Sequence, residues 1–169
     1  MFTFNTTVHA RPPETIAGST IEFGRRGFAT LAIPHEALAH PFKLSFEAAV
    51  ERLNQLERMF TEPDGSFVWT SPHDGPTWQV DGNLFDRNGR LLFVDLKGTC
   101  PSEEFDRLLT AFGWPETPLV FQLVREAVFL DEPEFRRWAS DEPSAENART
   151  PKTLEQEETE KTEDGFESS

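Results

Sequence analysis

Three residues in the middle of the chain carry the chemistry it could do: Asp81, then Asp95 and Lys97 with Leu96 between them. Two carboxylates held side by side repel unless a cation lies between them, so this pair suits a hard divalent metal such as Mg²⁺. Lys97 stands two residues beyond Asp95. On a strand that spacing puts both side chains on one face, where the ammonium could orient a water or steady a developing negative charge. Glu57 is the further acid that would complete such a site. It interrupts a helical stripe of Phe46, Ala49, Val50, Leu53, Leu56 and Phe60, where a carboxylate is otherwise out of place.

The element that must position the trio is a β-hairpin over 77–98, reading TWQVDGNLFDRNGRLLFVDLKG, with its turn at Asp86-Arg87-Asn88-Gly89-Arg90. Two registers are open. A two-residue Asn88-Gly89 turn pairs Arg87 with Arg90 and sets Asp81 opposite Leu96. A three-residue loop from Arg87 to Gly89 pairs Asp86 with Arg90, Phe85 with Leu91, Asn83 with Phe93, and Asp81 with Asp95. The second register leaves Trp78, Val80, Gly82, Leu84, Leu92, Val94 and Leu96 on a face with no polar residue, and that sorting favours it.

Residues 1–18, with Pro12, Pro13 and Gly18, read as an irregular lead-in, and 19–23 with 28–33 as a first hairpin around Gly24-Arg25-Arg26-Gly27. Ser45 is the expected N-cap of a helix over 45–60, closed by Pro63. A strand at 66–70 precedes the central hairpin. Pro101 and Ser102 open a second helix whose buried stripe is Phe105, Leu108, Leu109 and Phe112, with Gly113 at its end. The almost continuously apolar 119–124 predicts a strand covered on both faces, parallel to 91–97 through a right-handed crossover. Asp131 then caps a last short helix bearing Phe135 and Trp138. The order is ββ-α-βββ-α-β-α: an α+β domain with a mixed β-sheet over 1–139.

Residues 140–169 differ in kind. They hold ten acidic residues against Arg149, Lys152 and Lys161, a net of −7 out of the chain's −14, with little to bury beyond Leu154 and Phe166. Such a segment cannot offset the entropy of ordering its backbone and reads as a disordered acidic tail. The remaining 139 residues also carry −7, which argues against a broad nucleic-acid surface. A lone Cys100 removes both an intramolecular disulfide and a cysteine zinc site. No apolar run reaches the length of a membrane span, so the expectation is a soluble, cytoplasmic protein.

Asp81 on one strand and Asp95-Leu96-Lys97 on the next, after a helix bearing Glu57, resemble the PD-(D/E)xK nuclease-like superfamily over 45–124. The resemblance implies Asp81 as the motif aspartate, Asp95 as the second acid, Lys97 as the lysine and Glu57 as the helix acid, with Mg²⁺ held by Asp81 and Asp95. Val80 stands where the family has proline, and no basic patch flanks the site. Other candidates have simpler structural explanations. His35 and His40, at spacing five, share no helix face, and His9 and His73 are distant in sequence. Cys100 precedes a helix, where a thiol pKa can fall, but lacks a neighbouring histidine base. The four tryptophans fall on separate elements, as core residues do. The leading expectation is a non-enzymatic protein-interaction module with an acidic tail and no cofactor, acting through a protein partner. The metal-dependent nuclease-like enzyme is the alternative, and only that alternative calls for nucleic acid.

Overall fold

A computed structural model describes residues 1–141 of the chain. The segment expected to be disordered, 140–169, lies outside them apart from its first two residues, which close the last helix. The described residues form nine strands and three α-helices: β1 (Phe2–Ala10), β2 (Ile16–Phe23), β3 (Arg26–Ala32), α1 (Phe46–Leu53), β4 (Met59–Thr61), β5 (Ser66–Thr70), β6 (Gln79–Arg87), β7 (Arg90–Cys100), α2 (Ser102–Ala111), β8 (Leu119–Leu123), β9 (Val128–Asp131) and α3 (Glu132–Asp141). A 3₁₀ turn, His35–Ala39, lies between β3 and α1. The α+β class holds. None of the three α-helices described is long and apolar enough to cross a membrane.

The sheet differs from the expected mixed one. Its order is β2-β3-β9-β8-β1-β7-β6-β5-β4, and every pairing described is antiparallel. β7 and β8 do run in the same direction, but β1 lies between them and bonds to both, so they form no parallel pair. That central strand comes from the segment read as an irregular lead-in. Its sequence, FTFNTTVHA, alternates, with Phe4, Thr6, Val8 and Ala10 all buried. β9 is a second strand absent from the expected order. It follows a reversal in which Ala127 takes a positive φ of 55°.

The first helix is shorter than 45–60. Ser45 caps it as expected, its hydroxyl accepting from the Ala48 N–H at 3.0 Å, but the helix ends at Leu53. Arg58 adopts a φ of 62°, and the chain then turns into β4, where Phe60 pairs with Val68. Leu56 still packs on the core from the turn, which explains how a helical period persisted in sequence past the helix itself. α2 runs as predicted, with Phe105, Leu108, Leu109 and Phe112 fully buried. Asp131 caps α3 by accepting from the Glu134 N–H at 2.9 Å.

The hairpin combines the two-residue turn with a face sorting that belongs to the other register. Asn88 and Gly89 both have positive φ (54° and 80°), and Arg87 pairs with Arg90. A bulge then leaves Leu92 without a partner, so Phe85 meets Phe93, Asn83 meets Asp95 and Asp81 meets Lys97. The turn shifts the register by one and the bulge by one more. Two shifts restore the faces, because side chains alternate with period two. Val80, Leu84, Val94 and Leu96 are therefore buried as expected, although Leu91 is buried in place of Leu92.

These inward residues pack with Phe4, Val8, Phe121, Leu123 and Leu130 against Ala49, Leu53, Phe105, Leu108 and Phe135, so all three helices cover the same side of the sheet. Gly82, inside β6, is required there. A Cβ would lie 2.1 Å from the ring of Phe67, its partner on β5. Gly82→Ala should therefore cost about 1–3 kcal/mol by overpacking, and Val94→Asp should cost more by placing an unpaired charge in the core. Denaturant unfolding of both variants against wild type checks the order. A neutral Gly82→Ala would show that the ring is free to move aside.

Candidate functional site

Strand alternation sends a second set of residues to the face the helices leave uncovered. Cross-strand registers arrange them in rows. One row runs Phe60 (β4), Val68 (β5), Asp81 (β6), Lys97 (β7) and Asn5 (β1). The next runs Ser66, Asn83, Asp95, Thr7, Gln122 and Phe129. A third brings Phe85, Phe93, His9 and Val120 together.

The sequence-derived trio thus shares one face, in a different arrangement from that expected. Asp81 stands across from Lys97 and not from Asp95, and it is exposed, its Oδ1 accepting from Gln79 Nε2 at 2.9 Å. Asp95 is half-buried beside Asn83, and its Oδ1 accepts from the Thr7 hydroxyl at 2.7 Å. Glu57 is not on a helix. It is an exposed residue of the turn between α1 and β4, and its backbone carbonyl accepts from Trp69 Nε1 at 3.0 Å. The helix that was to carry it packs on the other side of the sheet. As for Mg²⁺, the face offers the oxygens of Asp81 and Asp95, each already accepting one hydrogen bond. Among the described residues no three acids, histidines or cysteines gather as a metal-holding group.

His9 is the residue of this face that sequence reasoning missed. The alternation of FTFNTTVHA, weighed above the prolines that follow it, was the signal that would have placed it on a strand beside Asp95. The ring is 5% exposed, between Phe93 and Phe129 with centroids 5.8 and 5.9 Å away. His9 Nε2 lies 3.3 Å from Gln122 Oε1, where a protonated Nε2 would donate, and Nδ1 is buried with no hydrogen-bond partner among the described residues. Asn83 Oδ1 is a second buried polar atom without one. Phe85 and Phe93 stack at 4.4 Å and 20°, half-buried. Asp81 and half-buried Asp95 are the carboxylates of this face, and exposed Phe60 and Val68 extend its first row in apolar surface.

The remaining candidates are structural. Cys100 is buried, and burial pushes its thiol pKa up to about 12, with the nearby Glu104 adding to the rise, so it is not an activated nucleophile. His35 and His40 are exposed, and His73 Nε2 lies 2.8 Å from an Arg58 guanidinium nitrogen. Trp69, Trp78 and Trp138 belong to the core, Trp69 and Trp78 in an edge-on pair at 4.8 Å. Compared with protein-family models, curated proteins and solved structures, the chain matches none.

Burial lowers the His9 pKa below the ordinary 6.5, against smaller raising effects from Gln122 and Asp95. Between that depressed value and 6.5 the unfolded chain binds more protons than the folded one, so stability rises with pH there. The contribution is complete above 6.5 and is lost as pH falls through 6.5 toward the folded value. His9→Phe, which suits the flanking rings, should flatten the wild-type loss of stability between pH 7 and mildly acidic pH. Urea midpoints across that range measure it. Parallel curves would show that His9 titrates alike in both states.

Proposed function

We propose that this domain is a protein-interaction module that presents the helix-free face of its sheet to a basic partner, acting by binding and not by turnover. One observation carries the reading: exposed Phe60 (61%) and Val68 (37%) stand in register with exposed Asp81 on a face that no helix covers. Exposed apolar groups beside charged ones are characteristic of protein contact surfaces. The acidic balance of the chain supports a cationic partner by favouring encounter with it. The hydrogen bonds already made by Asp81 and Asp95 support a recognition role over a reactive one.

The test uses the full chain as bait in native lysate, beside Asp81→Lys and the double variant Phe60→Ser, Val68→Ser. These side chains are exposed, so the variants should melt as wild type does. Basic proteins retained by wild type should be lost from both variants and released by salt. Retention by all three baits would place binding elsewhere. The nuclease-like alternative draws on the shared face of Asp81, Asp95 and Lys97 and is separated by calorimetry in Mg²⁺ and in chelator. A metal-dependent rise in melting temperature that Asp95→Asn abolishes would favour it, and no rise leaves the interaction reading.

A further inference from the structure

On the opposite side of the molecule α1 and α2 enclose a groove of about 530 Å³ between Arg52, Gln55 and Leu56 on one wall and Asp106, Arg107 and Ala111 on the other. Arg52 also lines a second cavity with Lys43 and Glu116, so three cations border the two. The cations in the lining, Lys43, Arg52 and Arg107, outnumber its acids, Asp106 and Glu116, by one. Asp106 is taken up by Arg136 of α3, 2.6 Å away, and Arg107 lies 3.7 Å from a Glu104 carboxylate oxygen while its side chain stays 69% exposed. α1 sorts its charges by flank: Glu47 and Glu51 border a separate cavity with Glu62, and Arg52 faces α2. In a chain of net −14 this is a local reversal of sign.

We propose that this groove is a docking surface for the chain's own acidic segment, Thr153 to Asp164. That stretch carries Glu155, Glu157, Glu158, Glu160, Glu163 and Asp164 against Lys161 alone. Leu154 is the apolar residue that would meet Leu56 and Ala111 on the groove wall. The helix-free face sets Asp81 and Asp95 beside Lys97 and offers the segment no comparable group of cations among the described residues. Reach is ample. The chain leaves α3, a helix whose Arg136 reaches Asp106 of α2, at Asp141, and the 14 residues from there to Glu155 span up to about 45 Å when extended. A folded unit of this size has a radius of gyration of about 14 Å. Covalent attachment raises the local concentration of the segment, so weak ion pairs suffice to fill the groove. The proposal is independent of what the helix-free face binds.

The test exploits the lysines. Only Lys43 and Lys97 precede residue 142, one beside the groove and one on the opposite face. Zero-length carbodiimide coupling of the full chain, prepared as a mixture of ¹⁴N and ¹⁵N copies, should join Lys43 to acids of 155–164 within one copy and leave Lys97 largely unlinked to that segment. The Lys43 links should fall several-fold in about 1 M salt, where the screening length is about 3 Å, and in the double variant Arg52→Glu, Arg107→Glu. The salt arm on wild type stands even where the variant misfolds. Equal linking of Lys43 and Lys97 to 155–164, such links indifferent to salt, or none of them at all would overturn the proposal. Links joining ¹⁴N to ¹⁵N copies would overturn it in favour of a second copy as the occupant.

Discussion

The pairing of β1 with both β7 and β8 is the constraint on which the rest of the structure depends. On one side of β1 lie β7, β6, β5 and β4; on the other lie β8, β9, β3 and β2. Without this strand the sheet is two separate ribbons. Its two faces do different work. Phe4 and Val8 enter the core under the helices, while on the other face Thr7 joins the polar row of Asp95 and Gln122 and His9 joins the row of Phe85 and Phe93. Residues 2–9 find partners at 93–100, and 6–10 at 119–123, so the sheet closes only after most of the domain has been made. Contacts of such separation cost loop-closure entropy before they yield stability, which implies slow folding for the size.

The last helix fastens the second half of the sheet to the first. Arg136 is held between the carboxylates of Asp106 and Glu132, and its guanidinium lies over the rings of Phe105, Trp114 and Phe2 at 5.2 to 5.9 Å. Arg137 lies over Phe28 at 4.7 Å and donates to the Gly27 carbonyl, while Glu134 accepts from the Ala29 N–H. Charged stems thus seal the rim of an aromatic core of Phe4, Phe105, Phe121 and Phe135. Among the described residues, the ion pair of the cations bordering the α1–α2 groove is the long one from Arg107 to Glu104, 3.7 Å.

Much of the local structure was legible in sequence because local chemistry decides it. The Ser45 and Asp131 caps, the buried stripe of α2 and the place of the reversal at 86–90 follow from residue types within one turn of the feature, although the favoured three-residue loop gives way to the two-residue Asn88-Gly89 turn. What failed to show was long-range. β1 has two threonines, an asparagine and nearby prolines, and only its partners at the far end of the chain make it a central strand. The Leu92 bulge could not be read either, since a turn alone implies one register and the face pattern another. The same gap explains the site. Asp81, Asp95 and Lys97 were rightly put on one face, but the neighbours that define it, Thr7, His9, Gln122, Phe60 and Val68, arrive from four other strands.

The central claim is that the uncovered face of β4 to β7 and β1 is the surface this domain works with. Amide chemical shifts of the full chain, titrated with a peptide that alternates lysine and leucine, test it most directly. Saturable shifts at Val68, Asp81, Asn83, Asp95 and Lys97, weakened by salt and absent in Asp81→Lys, are the predicted result. Shifts confined to α1, α2 and α3, or no saturation at any residue of the face, would contradict it.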